Sequence, residues 1–285
     1  MQFALLQAAG NRYIAVDGRE SERDWSAAAR DWTRTHFGVG SDGLLVVEAS
    51  TRAAVRMRVF NSDGSEAEMS GNGLRLFAKF VLDRDRSGLD AGALRVETRA
   101  GLRTVWPSFE AGRMTRGRID MGEPVFEPRS IPVDPERPEW LAVSPGAPPR
   151  ARIAAAGRIV EVDCLSLGNP HAVALLEEPV DAFPLDEVGP AIQTHPLFPN
   201  RVNFEIVNVL GEGRLRARIF ERGEGETLSS GTGSTASAVA ARAAGRVGDA
   251  VEVELRGGTL HVAWPGSGQA VLEGPVAAVF GGSIS

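Results

Sequence analysis

The sequence predicts an α/β chain of two similar halves, each strand-rich and each with one strong helix. An internal repeat is the first ground. Arg56, Arg58, Phe60, Glu66, Ser70, Gly71 and Gly73 recur as Arg216, Arg218, Phe220, Glu226, Ser230, Gly231 and Gly233, at a constant offset of 160. Chance is a poor explanation for so many identities in register, and a repeat frames the rest of the chain. Alternation is the second ground: Val55, Met57 and Val59 alternate with Arg56 and Arg58, as Leu215, Ala217 and Ile219 do with Arg216 and Arg218. Period two marks a half-buried strand. Thirdly, a Ser-Gly-x-Gly turn opens an apolar run at helical spacing in each copy. Leu74, Phe77, Ala78 and Val81 share a face in one, and Ala236, Val239, Ala240 and Ala243 in the other.

In chain order, Phe3 to Asp17 reads as two strands about a Gly10-Asn11 turn. Ser21 to His36 reads as a helix with Trp25, Ala28, Ala29 and Trp32 on one face. The loop Gly38-Val39-Gly40-Ser41-Asp42-Gly43 precedes the strand Leu44 to Val47 rather than opening a helix, which discounts a dinucleotide fingerprint. After the first central helix, Arg95 to Trp106 and Met114 to Met121 read as strands. The proline-rich stretch 127–150 reads as irregular and as the crossing between lobes. Ile159 to Val162 and Ala172 to Leu176 read as strands around Gly168-Asn169-Pro170-His171, the counterpart of Gly10-Asn11, and Phe204 to Val209 as another. Past the second central helix, Glu254 to Gly258 echoes Glu97 to Gly101, and Trp264 echoes Trp106. The expected lobes are residues 1–120, with a C-terminal strand near 275–285 returning to them, and residues 121–274.

Composition excludes several classes. A chain of 285 residues, 43% hydrophobic and 24% charged, can bury a substantial core. A net charge of −6 argues against nucleic acid or an anionic membrane as partner. Met1-Gln2-Phe3 lacks the basic start of a signal peptide and no run is long enough to span a bilayer, so a cytoplasmic location is expected. The single cysteine, Cys164, excludes an internal disulfide, and the four histidines lack ligand spacing; no metal and no cofactor are expected.

Glycine-rich turns at helix starts leave backbone N–H groups exposed, and with the helix dipole they favour an anion such as a carboxylate. Read singly, Ser70 and Ser230 are N-caps and nothing more. Two copies in register point instead to a paired anion site. Such pseudo-symmetry suits inversion of a carbon centre, in which one group removes a proton from one face and a matched group supplies one to the other. The turn amides would hold the substrate's carboxylate and stabilise the developing charge.

Gly10-Asn11, Phe60-Asn61-x-Asp63-Gly64-Ser65-Glu66, Gly71-Asn72-Gly73, Gly168-Asn169-Pro170-His171, Arg201-Val202-Asn203 and Glu221-Arg222-Gly223-x-Gly225-Glu226-Thr227 together resemble the diaminopimelate epimerase family over essentially the whole chain. That resemblance implies two pseudo-symmetric α/β lobes, each a curled, mainly antiparallel sheet around a central helix, with the site in the cleft between them. It implies a cofactor-independent isomerase that interconverts LL- and meso-2,6-diaminopimelate for lysine and peptidoglycan precursors, with a homodimer as a candidate assembly. It also implies roles: Gly71, Asn72, Gly231 and Thr232 offer amides to the reacting carboxylate, and Asn11 lies near the reacting end. Asn61, Asn169, Asn203 and Arg222 hold the distal carboxylate, with Glu221 near the distal ammonium. The bland alternative for each Asn is a turn-capping residue.

One departure is chemical. The family's two catalytic cysteines open the two glycine turns, where this chain has Ser70 and Ser230. A thiol ionises near pKa 8.5, an aliphatic hydroxyl nearer the ~15.7 of water, and the gap of about seven units corresponds to roughly 10 kcal/mol. Activity is therefore expected to be weak or absent unless another group activates the serines, for which the sequence offers Glu66, Glu226 and His171. Cys164, in a predicted strand, matches neither position and reads as buried filler. Competing readings are a proton-shifting isomerase of the same fold without a thiol pair, and an amino-acid binding protein that has lost the chemistry.

Overall fold

The computed structural model describes residues 1–142 and 144–284. Contacts divide the chain into two compact units, residues 1–120 with 273–285, and residues 121–272.

The first unit begins with β1 (Gln2–Ala8) and β2 (Asn11–Asp17), an antiparallel pair joined at Gly10, whose φ of +92° suits glycine. Helix α1 (Trp25–Trp32) then leads to β3 (Gly43–Glu48), which lies parallel to β2. β4 (Val55–Asn61) returns antiparallel to β3. Helix α2 (Gly71–Leu82) leads to Ala93–Thr98, parallel to β4, and the antiparallel strands Gly101–Glu110 and Arg113–Gly122 complete the run. The C-terminal strand Ala277–Ser283 pairs with β1.

Each parallel pair requires a crossover, and a helix supplies it. The second unit repeats the pattern: Arg158–Ser166 and Pro170–Leu175 are antiparallel, α3 (Leu185–Gln193) leads to the parallel strand Asn203–Gly211, Arg214–Glu221 returns, and α4 (Gly231–Ala243) leads to Ala250–Leu255, parallel to Arg214–Glu221.

Helices α2 and α4 are buried on nearly every side. A helix apolar all round belongs inside a core. Helix α2 touches β1 to β4 and Gly101–Glu110, so one sheet curls around it; α4 is enclosed in the same way by strands of its own unit. The second clusters flank the outer crossovers: Trp25, Ala29 and Trp32 pack on Phe3, Leu5, Ile14 and Leu44, while Leu185, Val188 and Ile192 pack on Phe204 and Ile206. No helix among the described residues is long and apolar enough to cross a membrane.

Four local expectations change. The first helix is Trp25–Trp32 rather than Ser21 to His36, because Asp24 caps it by accepting from the Ala27 N–H. Arg95 to Trp106 is a hairpin, turned at Arg99-Ala100 and closed by Gly101, whose φ is +101°. Helix α3 went unread because Gly189 and Pro190 lie inside it and signal a break. The stretch 127–150 belongs to the second unit instead of joining the two; it carries the turn Pro128–Ser130 and the strand Trp140–Ala142, with residue 143 outside the described residues.

Candidate active site

Both serines cap their helices. Ser70 is extended (φ −139°, ψ 124°) and its Oγ accepts from the Gly73 N–H at 3.0 Å. Ser230 has nearly the same backbone (φ −138°, ψ 129°) and accepts from the Gly233 N–H at 3.2 Å. The capping reading therefore holds locally, and the two positions are equivalent in geometry as well as in sequence. Gly71 and Asn72, like Gly231 and Thr232, open the first turns, whose amides have no acceptor within a helix.

Their surroundings differ in chemistry. The Ser230 hydroxyl donates to Glu221 Oε2 at 3.0 Å, and Thr227 Oγ1 donates to Glu221 Oε1 at 2.7 Å. Glu221 ends the strand Arg214–Glu221, and Gln193, the last residue of α3, donates to its backbone carbonyl at 3.1 Å. Burial raises the Glu221 carboxyl above the ordinary carboxylate range, and the hydrogen bonds from Thr227 and Ser230 offset part of that rise. A carboxylate that accepts a hydrogen bond from a serine hydroxyl has the geometry of a general base toward that oxygen.

The network extends inward. Thr232 Oγ1 lies 3.5 Å from Ser230 Oγ and accepts from Asn169 Nδ2 at 3.3 Å. Asn169 Oδ1 faces His171 Nε2 at 3.0 Å, and His171 Nδ1 faces Glu205 Oε1 at 2.7 Å. His171 and Glu205 are fully buried, and burial pushes the Glu205 carboxyl up against the opposing pull of His171. Asn203 Nδ2 donates to the Pro170 carbonyl, and Asn203 Oδ1 accepts the Arg222 N–H at 2.8 Å. The guanidinium of Arg222 is otherwise exposed, donating to the Asn200 carbonyl at 3.2 Å. Asn169, Asn203, Glu221, Arg222, Ser230 and Thr232 thus gather in one lobe.

In the other lobe Asn72 Nδ2 donates to Asn11 Oδ1, Asn11 Nδ2 donates to Asp42, and Arg75 Nη2 donates to Asn72 Oδ1 at 2.6 Å. The Tyr13 hydroxyl lies 3.4 Å from Ser70 Oγ. Arg75 is fully buried, which pushes its guanidinium down to about 10. Asn61 closes its own hairpin loop instead, donating to Ser65 Oγ at 3.0 Å.

Among the described residues, none of the three suggested activators hydrogen-bonds to Ser70 or Ser230. Glu66 takes a bidentate pair from Arg58, both bonds at 2.9 Å, and Glu226 takes the matching pair from Arg218 at 2.8 and 2.9 Å. The repeated Arg and Glu are thereby explained as staples between a strand and the loop before each helix. His171 is engaged by Glu205 and Asn169. Glu221, assigned from the resemblance to an ammonium, is the group on Ser230, and Tyr13, Arg75 and Glu205 carried no sequence signal beyond strand or helix membership. Cys164 is fully buried on its strand, and burial pushes its thiol up, away from nucleophilic use. A surface hollow of about 320 Å³ between Ser50–Ala54 and Gly88, Asp90 and Arg95 contains none of the residues expected at the site.

Comparison with known proteins identifies the family. The model of the family described as diaminopimelate epimerase matches residues 3–127 and 164–279. The diaminopimelate epimerase of Desulfovibrio desulfuricans is 40% identical over 289 residues, covering 99% of this chain and 97% of that protein. That of Acetivibrio thermocellus is 40% identical over 286 residues, covering 100% and 98%. Among solved structures, a hydroxyproline epimerase from Agrobacterium vitis superposes with a TM-score of 0.68 at 15% identity, over 99% of this chain and 91% of that one. A Bacillus anthracis phenazine biosynthesis protein of the PhzF family gives 0.64 at 16% identity, over 100% and 99%. At such identities these two likenesses show the fold alone. With the matched motifs, the two lobes and relatives of this name along the full length, the chain belongs to the diaminopimelate epimerase family, a family of amino-acid epimerases.

Proposed function

We propose that the chain interconverts LL- and meso-2,6-diaminopimelate by two-base proton transfer, slowly, with Ser70 and Ser230 at the proton-transfer positions. The observation that carries the reading is the Ser230 hydroxyl donated to Glu221. As Ser230 Oγ takes the α-proton, its own proton passes to the Glu221 carboxylate, and the electrons of the broken C–H bond delocalise into the reacting carboxylate. Amides of Gly71, Asn72, Gly231 and Thr232 stabilise the resulting charge. Ser70 delivers a proton to the opposite face, and the other diastereomer runs the sequence in reverse.

Magnitudes set the expected rate. The serines cost roughly 10 kcal/mol in forming the base. A positioned general base returns 10²–10⁴-fold, about 3–5 kcal/mol. Glu221 thus offsets part of the deficit and leaves turnover slow. The distal end of the substrate falls to Asn61, Asn169, Asn203 and Arg222, with Asn11 near the reacting end and Glu221 within reach of an ammonium as well as of Ser230.

The test is to incubate the chain with LL- or meso-diaminopimelate in deuterated water, following label at the α-carbon and the ratio of diastereomers. Slow exchange with inversion, lost in Glu221→Gln, is the expected result. Binding without exchange makes the chain a binding protein. Exchange in an unsaturated acid but not in diaminopimelate favours the proton-shifting isomerase.

A further inference from the structure

Among the described residues of its own lobe, no carboxylate takes the Ser70 hydroxyl as Glu221 takes that of Ser230. The Ser70 hydroxyl meets the Gly73 N–H at 3.0 Å and the phenol of Tyr13 at 3.4 Å. Tyr13 is the only tyrosine in the chain. It is 8% exposed, and its ring lies over Gly43, its parallel partner in β3. A Cβ on Gly43 would stand 2.7 Å from Tyr13 Cε1 and 2.4 Å from the Phe60 carbonyl, so only glycine leaves the ring where it is.

Valence gives these contacts a direction. A serine hydroxyl has one proton and two lone pairs. At Ser230 the carboxylate partner only accepts, so the hydroxyl proton points to Glu221 and a lone pair remains for an α-proton. At Ser70 one lone pair takes the Gly73 N–H, and a phenol both donates and accepts. When Tyr13 donates to the second lone pair, the serine proton is left for a carbanion; when tyrosinate accepts the serine proton, the second lone pair is left for an α-proton. A phenol ionises near pKa 10, about six units below a hydroxyl of ~15.7, so it is the stronger acid and its anion the base that forms more readily. Catalytic hydrogen bonds in ligand-free sites are often long and tighten in the substrate complex.

We propose that Tyr13 is the terminal proton carrier of the N-terminal lobe, supplying and withdrawing the α-proton on one face through the Ser70 hydroxyl. The substrate named in the test rests on the diaminopimelate reading above. In the forward step the α C–H bond breaks toward Ser230 Oγ and the Ser230 proton moves to Glu221. The Ser70 O–H bond breaks toward the carbanion and the Tyr13 proton moves to Ser70 Oγ. Protonated Glu221 and Tyr13 phenolate result, and exchange with solvent resets both.

Two measurements test the proposal. The first is α-deuterium incorporation into meso-diaminopimelate by the chain, Tyr13→Phe, Ser70→Cys, and Tyr13→Phe with Ser70→Cys, with affinity followed by calorimetry. Tyr13→Phe is expected to lower exchange about 100-fold in the serine background with affinity within about twofold. With Ser70→Cys, whose thiol needs no carrier, the same change should alter the rate only a few-fold. The second measurement needs no substrate: the absorbance of the single tyrosine is titrated with pH in the chain and in Ser70→Ala. Loss of the hydroxyl that hydrogen-bonds the phenolate should move the midpoint upward. Equal losses in both backgrounds, exchange unaffected by Tyr13→Phe, binding with no exchange in the parent chain, or an unmoved midpoint would each overturn the proposal. A shifted midpoint in a chain that does not bind diaminopimelate sinks the substrate and leaves the Tyr13–Ser70 couple standing.

Discussion

Ser230 and Glu221 carry most of the expected chemistry at the scale of single residues. Replacing the carboxylate by an amide keeps the acceptor toward Thr227 and removes the base, so Glu221→Gln should reduce α-proton exchange about 100-fold or more. The parent's exchange should rise with pH through a midpoint above the ordinary carboxylate range, since the active form is the carboxylate and burial raises its pKa. In Glu221→Gln that limb should vanish. The same variant should be more stable at neutral pH than the parent, as thermal unfolding would read, because ionising a desolvated carboxylate costs folding free energy. Ser70→Cys with Ser230→Cys should raise epimerisation well above the parent, since a thiol at a helix N-terminus ionises readily. Cys164→Ala should cost about 1 kcal/mol of stability and leave exchange unchanged; lost exchange in a folded variant would reassign that residue.

At the scale of elements, matched turns and crossovers explain how two lobes come to present equivalent groups. Gly10 and Gly168 share a φ of +92°, the conformation that swings Asn11 and Asn169 toward the serine turns. Gly168→Ala places its Cβ in open space, so its effect isolates backbone strain: about 1–2 kcal/mol by denaturant unfolding, with weaker diaminopimelate binding as Asn169 shifts. Gly233 differs, because a Cβ there would stand 2.8 Å from Ile219 Cδ1 and 3.0 Å from Glu205 Oε1, opposing the fit of α4 on its sheet. Helix α3 acts at its end, where Gln193 fixes the Glu221 backbone. The repeated ion pairs are elements of architecture, each tying a strand to the loop that precedes a serine-capped helix.

For the whole molecule, those pairs set a response to acid. Arg58 holds the Glu66 carboxyl below the usual range, and Arg218 does the same for Glu226. A carboxylate with a lower pKa when folded than when unfolded contributes stability above its unfolded value, near 4.5, and loses it as pH falls through the folded value. The chain should therefore lose stability below about pH 4.5, and Glu66→Gln with Glu226→Gln should flatten that acid limb while lowering stability at pH 7. An unchanged acid limb in the double variant would show that other carboxylates govern it.

The sequence by itself determined the duplication, the strand-rich halves, the central helices and the two serines at equivalent helix starts. Those features are written in local periodicity and in a fixed offset, which need no long-range contact to be read. Beyond the capping contacts, tertiary structure alone decided which side chain each serine hydroxyl meets. Glu221 reaches Ser230 because a hairpin folds the end of one strand back under the turn nine residues on, and Tyr13 reaches Ser70 across 57 residues because β2 and α2 pack together. Glu66 and Glu226 looked equally available in sequence, yet register gave both to arginines. Helix α3 was hidden for a related reason: packing of Leu185, Val188 and Ile192 outweighs an internal proline whose local preference points the other way. Backbone pattern is a short-range property, whereas a proton's partner is chosen by strand register and helix packing, which bring together residues far apart in the chain.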